Sequence, residues 1–554
     1  MLLAAAALAA AFLARPITAA EPGQGTEGLQ LVEATVSQLH HAMKAGLVTP
    51  EQLVRMYRAR IDAYDKAGPR VNAFLYVNPN AEAQARALGE QREGEFSRPL
   101  YGIPVLLKDN IDTADMPTTA GSVALAGSIP PSDAFITRRL RQAGAVILGK
   151  ATLTEFANFL AVGMPTGYSS LGGFGLNPYD PRVLLGGDGR PVLQTGGSSS
   201  GPGIGVNANL ATLAVGTETS GSILSPASSN GVVGIKPTLG LVSRHGIIPI
   251  TADQDTAGPI ARTVTDAALL LGVLAGYDPD DPATAACLTP GNCFRDYTLF
   301  LDRKALKGAR IAVVTPIPSN RAAIMSSAIE VLRALGAYVE LLPSPFPAQP
   351  GSCVSYPPPA GCSTVLMYGQ KHDLNAYLAA RPGVPRKTIA EIVAFNSAYK
   401  PPMKYGQAIF EAAQRLDVTP GSADTLRYQV DLAEDRARSR GALDAVYKGP
   451  DGIKGTADDF DAILSSANNF AAAPAKAGYP SVTVPGGFVP PVPPIENPFP
   501  SGVTFSGPAF SEPALIGFAY AFEQATLLRQ PPASTPPLPT DSVSRPGLGP
   551  AQQW

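Results

Sequence analysis

The chain has 554 residues, of which 45% are hydrophobic and 16% charged, so it can bury a large core. Its 43 basic against 45 acidic residues give a formal net charge of −2, and no basic run or basic–aromatic patch occurs. The sequence therefore gives no indication of nucleic-acid binding. The 55 glycines and 55 prolines are typical of an α/β chain with many turns.

The N-terminus begins with an apolar run, Met1–Ala14, followed by small residues at 18–20. This pattern predicts a signal peptide over residues 1–20 and an exported protein, periplasmic or secreted, although a basic n-region is missing. The alternative is an ordinary apolar N-terminal helix of a cytoplasmic protein. The run is too short to span a membrane comfortably, and no other stretch is long and apolar enough, so we expect no stable membrane insertion.

The first clear element is a helix that begins at Pro50. Thr49 can cap it, Pro50 suits the first helical position, and Gln52 completes a capping box. Its predicted buried face repeats at three- and four-residue spacing and consists of Leu53, Met56, Tyr57, Ile61 and Tyr64.

Strands and helices then alternate along the chain. Residues 105–107 predict a buried strand that ends at Lys108, residues 135–142 a helix, and residues 145–148 a second buried strand. This alternation predicts an α/β fold.

The four cysteines form two close pairs, Cys287 with Cys293 and Cys353 with Cys362. Four cysteines allow three connectivities. Local pairing is the favoured prediction because each pair closes a short loop. Four free thiols in a cytosolic enzyme are the alternative, and no metal-ligand spacing is present.

Three further segments stand out by composition. Residues 185–194 and 448–461 read as loop insertions, and the second contains Asp451, Asp458, Asp459 and Asp461. Those carboxylates leave calcium binding open, but an acidic solvated turn is favoured because the EF-hand spacing is missing. The proline-rich end, residues 531–554, predicts a disordered tail.

One lysine and two glycine-rich serine turns carry the chemical signal. Lys108 lies in the segment Gly102–Ile111 (GIPVLLKDNI), and the serines occur in Gly196–Gly201 (GGSSSG) and Gly216–Ile223 (GTETSGSI). A serine hydroxyl needs a base to become a good nucleophile. The chain has four histidines, none of them in these segments, so Lys108 is the natural candidate base.

These segments resemble the amidase signature family, whose catalytic group is a Ser–cis-Ser–Lys triad. The resemblance places Lys108 at the catalytic lysine, Ser198 at the bridging serine, whose peptide bond with Gly197 is cis in the family, and Ser222 at the nucleophile. It covers roughly residues 28–530 and implies a single amidase domain, with a central mixed β-sheet surrounded by helices and no cofactor. Within the family the chain is most similar to bacterial peptide amidases.

By the same resemblance, the turn at Thr219, Ser220 and Gly221 is the oxyanion hole, where backbone N–H groups face the negative oxygen of the intermediate. Ser199 is a further candidate for substrate binding, with hydrogen bonding inside the loop as the favoured alternative. Burial can lower a lysine pKa by about 3–5 units, so the apolar approach to Lys108 fits a neutral base, although Asp109 would oppose that shift. No metal site is predicted.

The resemblance implies an amide hydrolase that forms an acyl-enzyme on Ser222 and releases ammonia, with C-terminal peptide amides as the favoured substrates. A broad amidase for aryl or aliphatic amides, an inactive binding module and an amidotransferase-like subunit remain as alternatives. The match of residues 197–201 to the G-x-S-x-G elbow is set aside, because no strand precedes it. The partner is a small-molecule or peptide amide, and the sequence does not indicate an oligomeric state.

Overall fold

A computed structural model describes residues 28–90, 95–343, 350–399 and 403–544. The strands, in chain order, are β1 (Gly28–Gln30), β2 (Phe74–Val77), β3 (Pro104–Lys108), β4 (Val146–Ala151), β5 (Tyr168–Ser169), β6 (Gly173–Phe174), β7 (Leu213–Glu218), β8 (Val233–Lys236), β9 (Thr256–Ala261), β10 (Arg310–Thr315), β11 (Tyr338–Pro343), β12 (Ala462–Ser466), β13 (Ser481–Val489), β14 (Phe499–Ser506) and β15 (Ser542–Ser544).

The helices of the described residues surround these strands. They are α1 (Val36–Lys44), α2 (Pro50–Tyr64), α3 (Ala81–Glu90), α4 (Phe135–Gln142), α5 (Glu155–Asn158), α6 (Ser200–Asn207), α7 (Leu224–Ser229), α8 (Val264–Leu274), α9 (Ala322–Ala334), α10 (Val365–Ala379), α11 (Ile389–Ala398), α12 (Ala408–Arg415), α13 (Ala423–Tyr447), α14 (Ala472–Ala477) and α15 (Glu512–Thr526).

One large mixed sheet organises the fold, with the strand order β11-β10-β12-β14-β13-β8-β9-β7-β3-β4-β2. Strands β7, β3 and β4 are parallel, whereas β9 and β2 run antiparallel to their neighbours in this part of the sheet. The predicted α/β fold with a mixed sheet surrounded by helices is confirmed.

The local signals named above are found where they were expected. Helix α2 begins at Pro50 with both hydrogen bonds of the Thr49–Gln52 capping box, and its predicted face is buried. Strand β3 is fully buried and ends at Lys108, and α4 covers residues 135–142. The second predicted strand is β4, which begins at Val146 and continues to Ala151.

A second hydrophobic cluster lies apart from the sheet and is built largely by α10, α11 and α12. The ring of Phe410 on α12 packs against Phe156, with the ring centroids 4.6 Å apart. Arg381, which follows α10, donates from Nε to Asp112 Oδ2 at 2.9 Å, and Tyr377 on α10 donates to the same carboxylate. The helical region is thereby attached beside the end of β3.

The prediction of a disordered tail from residue 531 is wrong for residues up to Ser544. Strand β15 pairs with β1, and the buried carboxylate of Asp541 accepts a hydrogen bond from the buried guanidinium of Arg60 on α2. Arg60 also donates to the carbonyl oxygen of Thr535 at 3.0 Å. Proline-rich composition suggested disorder, but these buried polar contacts hold the segment on the core. The rest of the predicted tail lies outside the described residues.

The four cysteines form the two predicted local disulfides, Cys287–Cys293 and Cys353–Cys362. The predicted signal peptide lies outside the described residues. Within the described part of the chain, no helix has both the length and the apolar character that crossing a membrane requires.

Candidate active site

Lys108 lies at the end of β3 and its side chain is fully buried. Its Nζ lies 2.7 Å from Ser198 Oγ, 2.8 Å from Thr217 Oγ1 and 3.1 Å from the carbonyl oxygen of Thr217. Thr217 is on the neighbouring strand β7, so the parallel pairing of β3 and β7 brings the lysine and the threonine together. Each of these close partners of the amine is uncharged.

This geometry suits a neutral amine. A neutral lysine has two N–H groups and one lone pair, and the two oxygens of Thr217 can accept both N–H groups. The lone pair is then free for the hydroxyl hydrogen of Ser198. Asn110 supports the arrangement, because its Nδ2 donates to Thr217 Oγ1 at 3.0 Å.

Burial lowers the pKa of Lys108 from 10.5 to about 7. The carboxylates of Asp255 and Glu218 oppose the shift and raise the pKa again, but their effect is smaller than that of desolvation. Near pH 7 a large fraction of Lys108 is therefore deprotonated and able to accept a proton.

The acidic neighbour Asp109, expected to oppose the shift, is engaged elsewhere. Its Oδ1 lies 3.2 Å from Nζ of Lys150 on β4, and its other oxygen accepts hydrogen bonds from the N–H and hydroxyl groups of Thr119. The Asp109 charge is thus balanced by a second buried lysine, which leaves Lys108 without a contacting carboxylate among the described residues.

The loop Gly196–Ser200 presents Ser198 to the lysine. The Gly197–Ser198 peptide bond is cis, as the resemblance implied. The Ser198 carbonyl accepts a hydrogen bond from the N–H of Thr154 at 3.0 Å, and the N–H of Ser199 donates to the carbonyl oxygen of Ser222 at 3.2 Å. These backbone bonds bring the serine loop against the turn that carries Ser222.

Glu218 organises that turn, and the sequence interpretation missed it. This buried carboxylate, at the end of β7, accepts hydrogen bonds from the N–H groups of Gly221 (2.7 Å), Ile223 (2.7 Å) and Leu224 (3.0 Å). Ser222 lies within the segment that these hydrogen bonds hold, and it is 8% exposed. An acidic residue just before a glycine turn is the signal that could have identified Glu218.

The predicted oxyanion residues differ in their availability. The N–H of Gly221 is bound by Glu218, so it is not free for a substrate oxygen. Among the described residues, none accepts a hydrogen bond from the N–H of Ser220 or Ser222. The Thr219 hydroxyl donates to Asp255, and the Thr219 carbonyl accepts from Gln254.

Ser199 makes structural contacts with β7. Its side chain is fully buried, its Oγ donates to the Thr217 carbonyl at 3.0 Å, and the N–H of Thr217 donates back at 3.2 Å. These contacts fit the favoured alternative for Ser199, in which its side chain makes structural hydrogen bonds, here between the serine loop and β7.

Burial raises the pKa of Asp255 to about 6, against the hydrogen bonds that Thr219 and the N–H groups of Ile250 and Thr251 donate to it. Arg244 is one of the charges that lower this pKa again. Both residues line a narrow crevice next to Thr217 and Thr219. Asp255 thus connects the predicted oxyanion turn to the loop that follows β8.

Among the described residues, the two loop insertions make no hydrogen bond to the predicted triad. Residues of the 185–194 segment line a cavity of about 1330 Å³ together with Phe174 and residues 493–496, and none of the three triad residues lines it. In the 448–461 loop, the oxygens of Asp451, Asp458 and Asp459 accept hydrogen bonds from the loop itself, and Asp461 accepts from the N–H of Arg310. This pattern fits the favoured acidic turn.

The fold and the sequence together identify this protein as an amide-hydrolysing enzyme of the amidase class. The sequence profile described as Amidase matches residues 52–377, more than half of the chain, and the chain belongs to this family.

Three relatives show the range of the similarity. A probable amidase of Arabidopsis thaliana is 38% identical over 511 residues, covering 90% of this chain and 91% of its own. The native peptide amidase of Stenotrophomonas maltophilia is 39% identical with a TM-score of 0.76, covering 90% and 98% of the two chains. A glutamyl-tRNA(Gln) amidotransferase chain of Synechococcus sp. is 32% identical over 521 residues, covering 90% and 99%.

Proposed function

We propose that this protein hydrolyses a carboxamide to a carboxylic acid and ammonia through an acyl-enzyme on Ser222. Lys108 is the general base and Ser198 relays the proton. The observation that carries this proposal is the 2.7 Å contact between Nζ of Lys108 and Oγ of Ser198, made where burial lowers the lysine pKa to about 7.

The proton path follows from the partners of each group. Neutral Lys108 accepts the hydroxyl proton of Ser198, and Ser198 accepts the proton of Ser222 as the Ser222 oxygen attacks the amide carbon. The same relay, run in reverse, delivers a proton to the leaving nitrogen, so ammonia departs neutral. Water then attacks the ester with the relay acting as base again, which releases the acid and restores Ser222.

The developing negative oxygen needs fixed donors. The N–H groups of Ser220 and Ser222 suit this role, because Glu218 fixes the turn while leaving these two N–H groups unbound by described residues. Gly221 contributes through its backbone, which has a φ of 82°, a conformation that glycine adopts without strain. Thr219 contributes through its contact with Asp255.

C-terminal peptide amides are the substrates we propose. The 39% identity to the Stenotrophomonas peptide amidase over 90% of this chain supports this class. The segment 168–170 contributes no free serine hydroxyl to a pocket for such a substrate, because Ser169 is buried and Ser170 donates to Glu155 at 2.8 Å. Tyr168, in the same segment, packs edge-to-face against Tyr405, with the ring centroids 4.8 Å apart, and is half-buried.

Two alternatives keep the same chemistry. An amidase for aryl or aliphatic amides would use the same triad with another acyl group. A role in an amidotransferase is favoured by the similarity to the Synechococcus protein. In that role ammonia from glutamine would pass to an acylated acceptor instead of leaving into solvent.

The test is ammonia release from a panel of peptides with C-terminal amides, alongside anilides, aliphatic amides and glutamine. We expect one ammonia per free peptide acid, lost in Ser222→Ala and kept in Ser397→Ala, a matched change on the exposed face of α11. Hydrolysis of anilides or aliphatic amides alone would retain the triad and overturn the substrate class. No turnover of any amide would overturn the proposed function.

We also infer that the protein is exported. The two disulfides support this, since such bonds persist in oxidising compartments. Cell fractionation of the full-length chain tests it: a processed protein outside the cytoplasm is expected, and an unprocessed cytoplasmic protein would contradict it.

A further inference from the structure

A histidine and two aspartates converge on the surface between the Ser243–Gly246 segment and the loop after α8. His245 Nδ1 lies 3.3 Å from Asp280 Oδ2 and 3.8 Å from Asp278 Oδ2, and the ligand atoms of all three residues lie within 4.8 Å of one another. The histidine and the two aspartates come from segments more than thirty positions apart in the sequence, so the fold brings them together.

The imidazole nitrogen that faces the carboxylates has no hydrogen-bond partner among the described residues, although the atom itself is buried. A buried nitrogen without a partner is costly unless something binds it. It points toward two acceptor oxygens, which is the arrangement expected around a cation that all three atoms share.

Contacts behind the cluster hold its ligands in place. Ser243 Oγ donates to Asp278 Oδ2 at 2.5 Å, and the N–H of Asp280 donates to Asp278 Oδ1 at 3.1 Å. The N–H of Asp278 donates to Thr284 Oγ1 at 2.8 Å. Such outer contacts orient the ligands of metal sites in proteins.

We propose that His245, Asp278 and Asp280 bind a divalent transition-metal ion of the zinc type. Tetrahedral zinc with bonds of about 2.0–2.2 Å places its ligands about 3.3–3.6 Å apart. The 3.3 Å separation between His245 and Asp280 already fits, and the partly exposed side chains of His245 and Asp280 can move to shorten the separations from Asp278. One imidazole and two carboxylates suit zinc better than magnesium or calcium, which favour oxygen ligands alone.

The bound ion braces the segment behind the predicted active site. Next to His245, Arg244 donates to Asp281 Oδ2 at 2.8 Å and lines the crevice that contains Thr219 and Asp255. The carbonyl oxygen of Gly246 accepts from the N–H of Asp112, four positions after Lys108, at 2.8 Å. The metal therefore joins the loop after α8 to residues 244–246, which contact the crevice at Thr219 and the chain that follows Lys108. The role of the metal is structural.

The experiment titrates Zn²⁺ into the EDTA-dialysed full chain, prepared without a histidine tag, by calorimetry and by thermal unfolding. We expect one Zn²⁺ per chain and a rise in Tm that EDTA reverses. Asp280→Ala changes an exposed side chain, so the variant should fold, and it should weaken Zn²⁺ binding by more than about tenfold and lose the Tm response. His372→Asn is the matched control, because His372 contacts Asp373 and the cluster does not include it.

Two results would overturn the proposal. One is absence of Zn²⁺ binding in the wild type. The other is equal Zn²⁺ binding by the wild type and Asp280→Ala. Neither result bears on the proposed amidase activity, since none of the three residues belongs to the predicted triad.

Discussion

Two buried lysines lie side by side in the sheet and have opposite surroundings. Lys108 ends β3 and Lys150 lies on β4, where it pairs in register with Leu107. Lys150 has the carboxylate of Asp109 at 3.2 Å, whereas Lys108 contacts hydroxyl and carbonyl oxygens. Burial lowers the pKa of both amines, but at Lys150 the charge of Asp109 opposes the shift at close range.

The difference indicates how one sheet can hold two buried lysines with different roles. A buried amine with a carboxylate partner forms an ion pair, and such a pair cannot lose one partner without leaving a buried charge. A buried amine with neutral partners gives up its proton near neutral pH and becomes a base. The predictions below test this contrast, from the largest expected effect to the smallest.

The first change removes the base. Lys108→Met should lower kcat by about 100- to 10,000-fold, because it deletes the proton acceptor of Ser198. At pH 7 the variant should be no less stable than the wild type, because it no longer pays the cost of folding with a lysine that has lost its proton, and the partners that lose their contact are uncharged. Steady-state ammonia release and urea unfolding measure the two quantities, and near wild-type turnover would remove Lys108 from the mechanism.

The same variant reports the proton on Lys108 through stability. Between about pH 7 and 10.5 the unfolded chain binds a proton on Lys108 that the folded chain lacks, so raising the pH through this window removes a cost of folding. The unfolding free energy of the wild type minus that of Lys108→Met should therefore become more positive as the pH rises across this window. A constant difference would show an unshifted lysine.

The second change breaks the ion pair. Lys150→Met should lower the free energy of unfolding by about 3–5 kcal/mol, because Asp109 is left as a buried charge without its partner. The kcat of the folded fraction should stay within a few-fold of wild type, because the hydrogen-bond partners of Lys150, Pro117 and Thr118, lie outside the predicted triad. The double variant Lys150→Met with Asp109→Leu should regain much of the lost unfolding free energy. A double variant as unstable as Lys150→Met would refute the pairing.

The third change loosens the nucleophile turn. Glu218→Gln replaces one carboxylate oxygen with an NH₂ group that cannot accept from Gly221, Ile223 or Leu224. We expect kcat to fall by about 100- to 1000-fold, comparable to the loss of an oxyanion donor, with KM little changed. Glu512→Gln, another buried carboxylate that instead accepts from the N–H of Thr238, is the control and should keep most of the activity. Equal losses of kcat in the two variants would argue against a specific role for Glu218.

The fourth change makes Lys108 resemble Lys150. Thr217→Asp places a carboxylate at the position of the hydroxyl that contacts Nζ at 2.8 Å. The pKa of Lys108 should rise by about 1–3 units, and the pH profile of kcat/KM should move to higher pH by that amount. Thr217→Asn supplies the same shape without the charge, and a profile shift shared by both variants would rule out an electrostatic cause.

The parts of the fold that the sequence predicted have local causes. The capping box at Thr49, the apolar run into Lys108 and the helix at 135–142 depend on residues within a few positions of one another. The segment at residues 531–544 was mispredicted because its anchor, the Arg60–Asp541 pair, joins positions 481 apart. No local pattern predicts a partner at that distance.

The same reasoning applies to the candidate site. Lys108 was named as the candidate base from the residues, and the resemblance to the amidase signature family added Ser198 and Ser222. The structure brings Lys108 and Ser198 into contact. The roles of Glu218, Thr217 and Asn110 were missed, because their hydrogen bonds follow from strand pairing and from the wrapping of the turn. The pairing of Asp109 with Lys150 was missed for the same reason.

The central claim is that a neutral Lys108 activates Ser222 through Ser198, and the rate at which a serine-reactive phosphonate labels Ser222 tests it most directly. Mass spectrometry locates the adduct, and the rate is followed from about pH 5 to 9, a range that brackets the lowered lysine pKa. We predict labelling at Ser222 alone, rising about tenfold per pH unit below about pH 7 and level above it. A rate independent of pH, or an adduct on another serine, would contradict the claim.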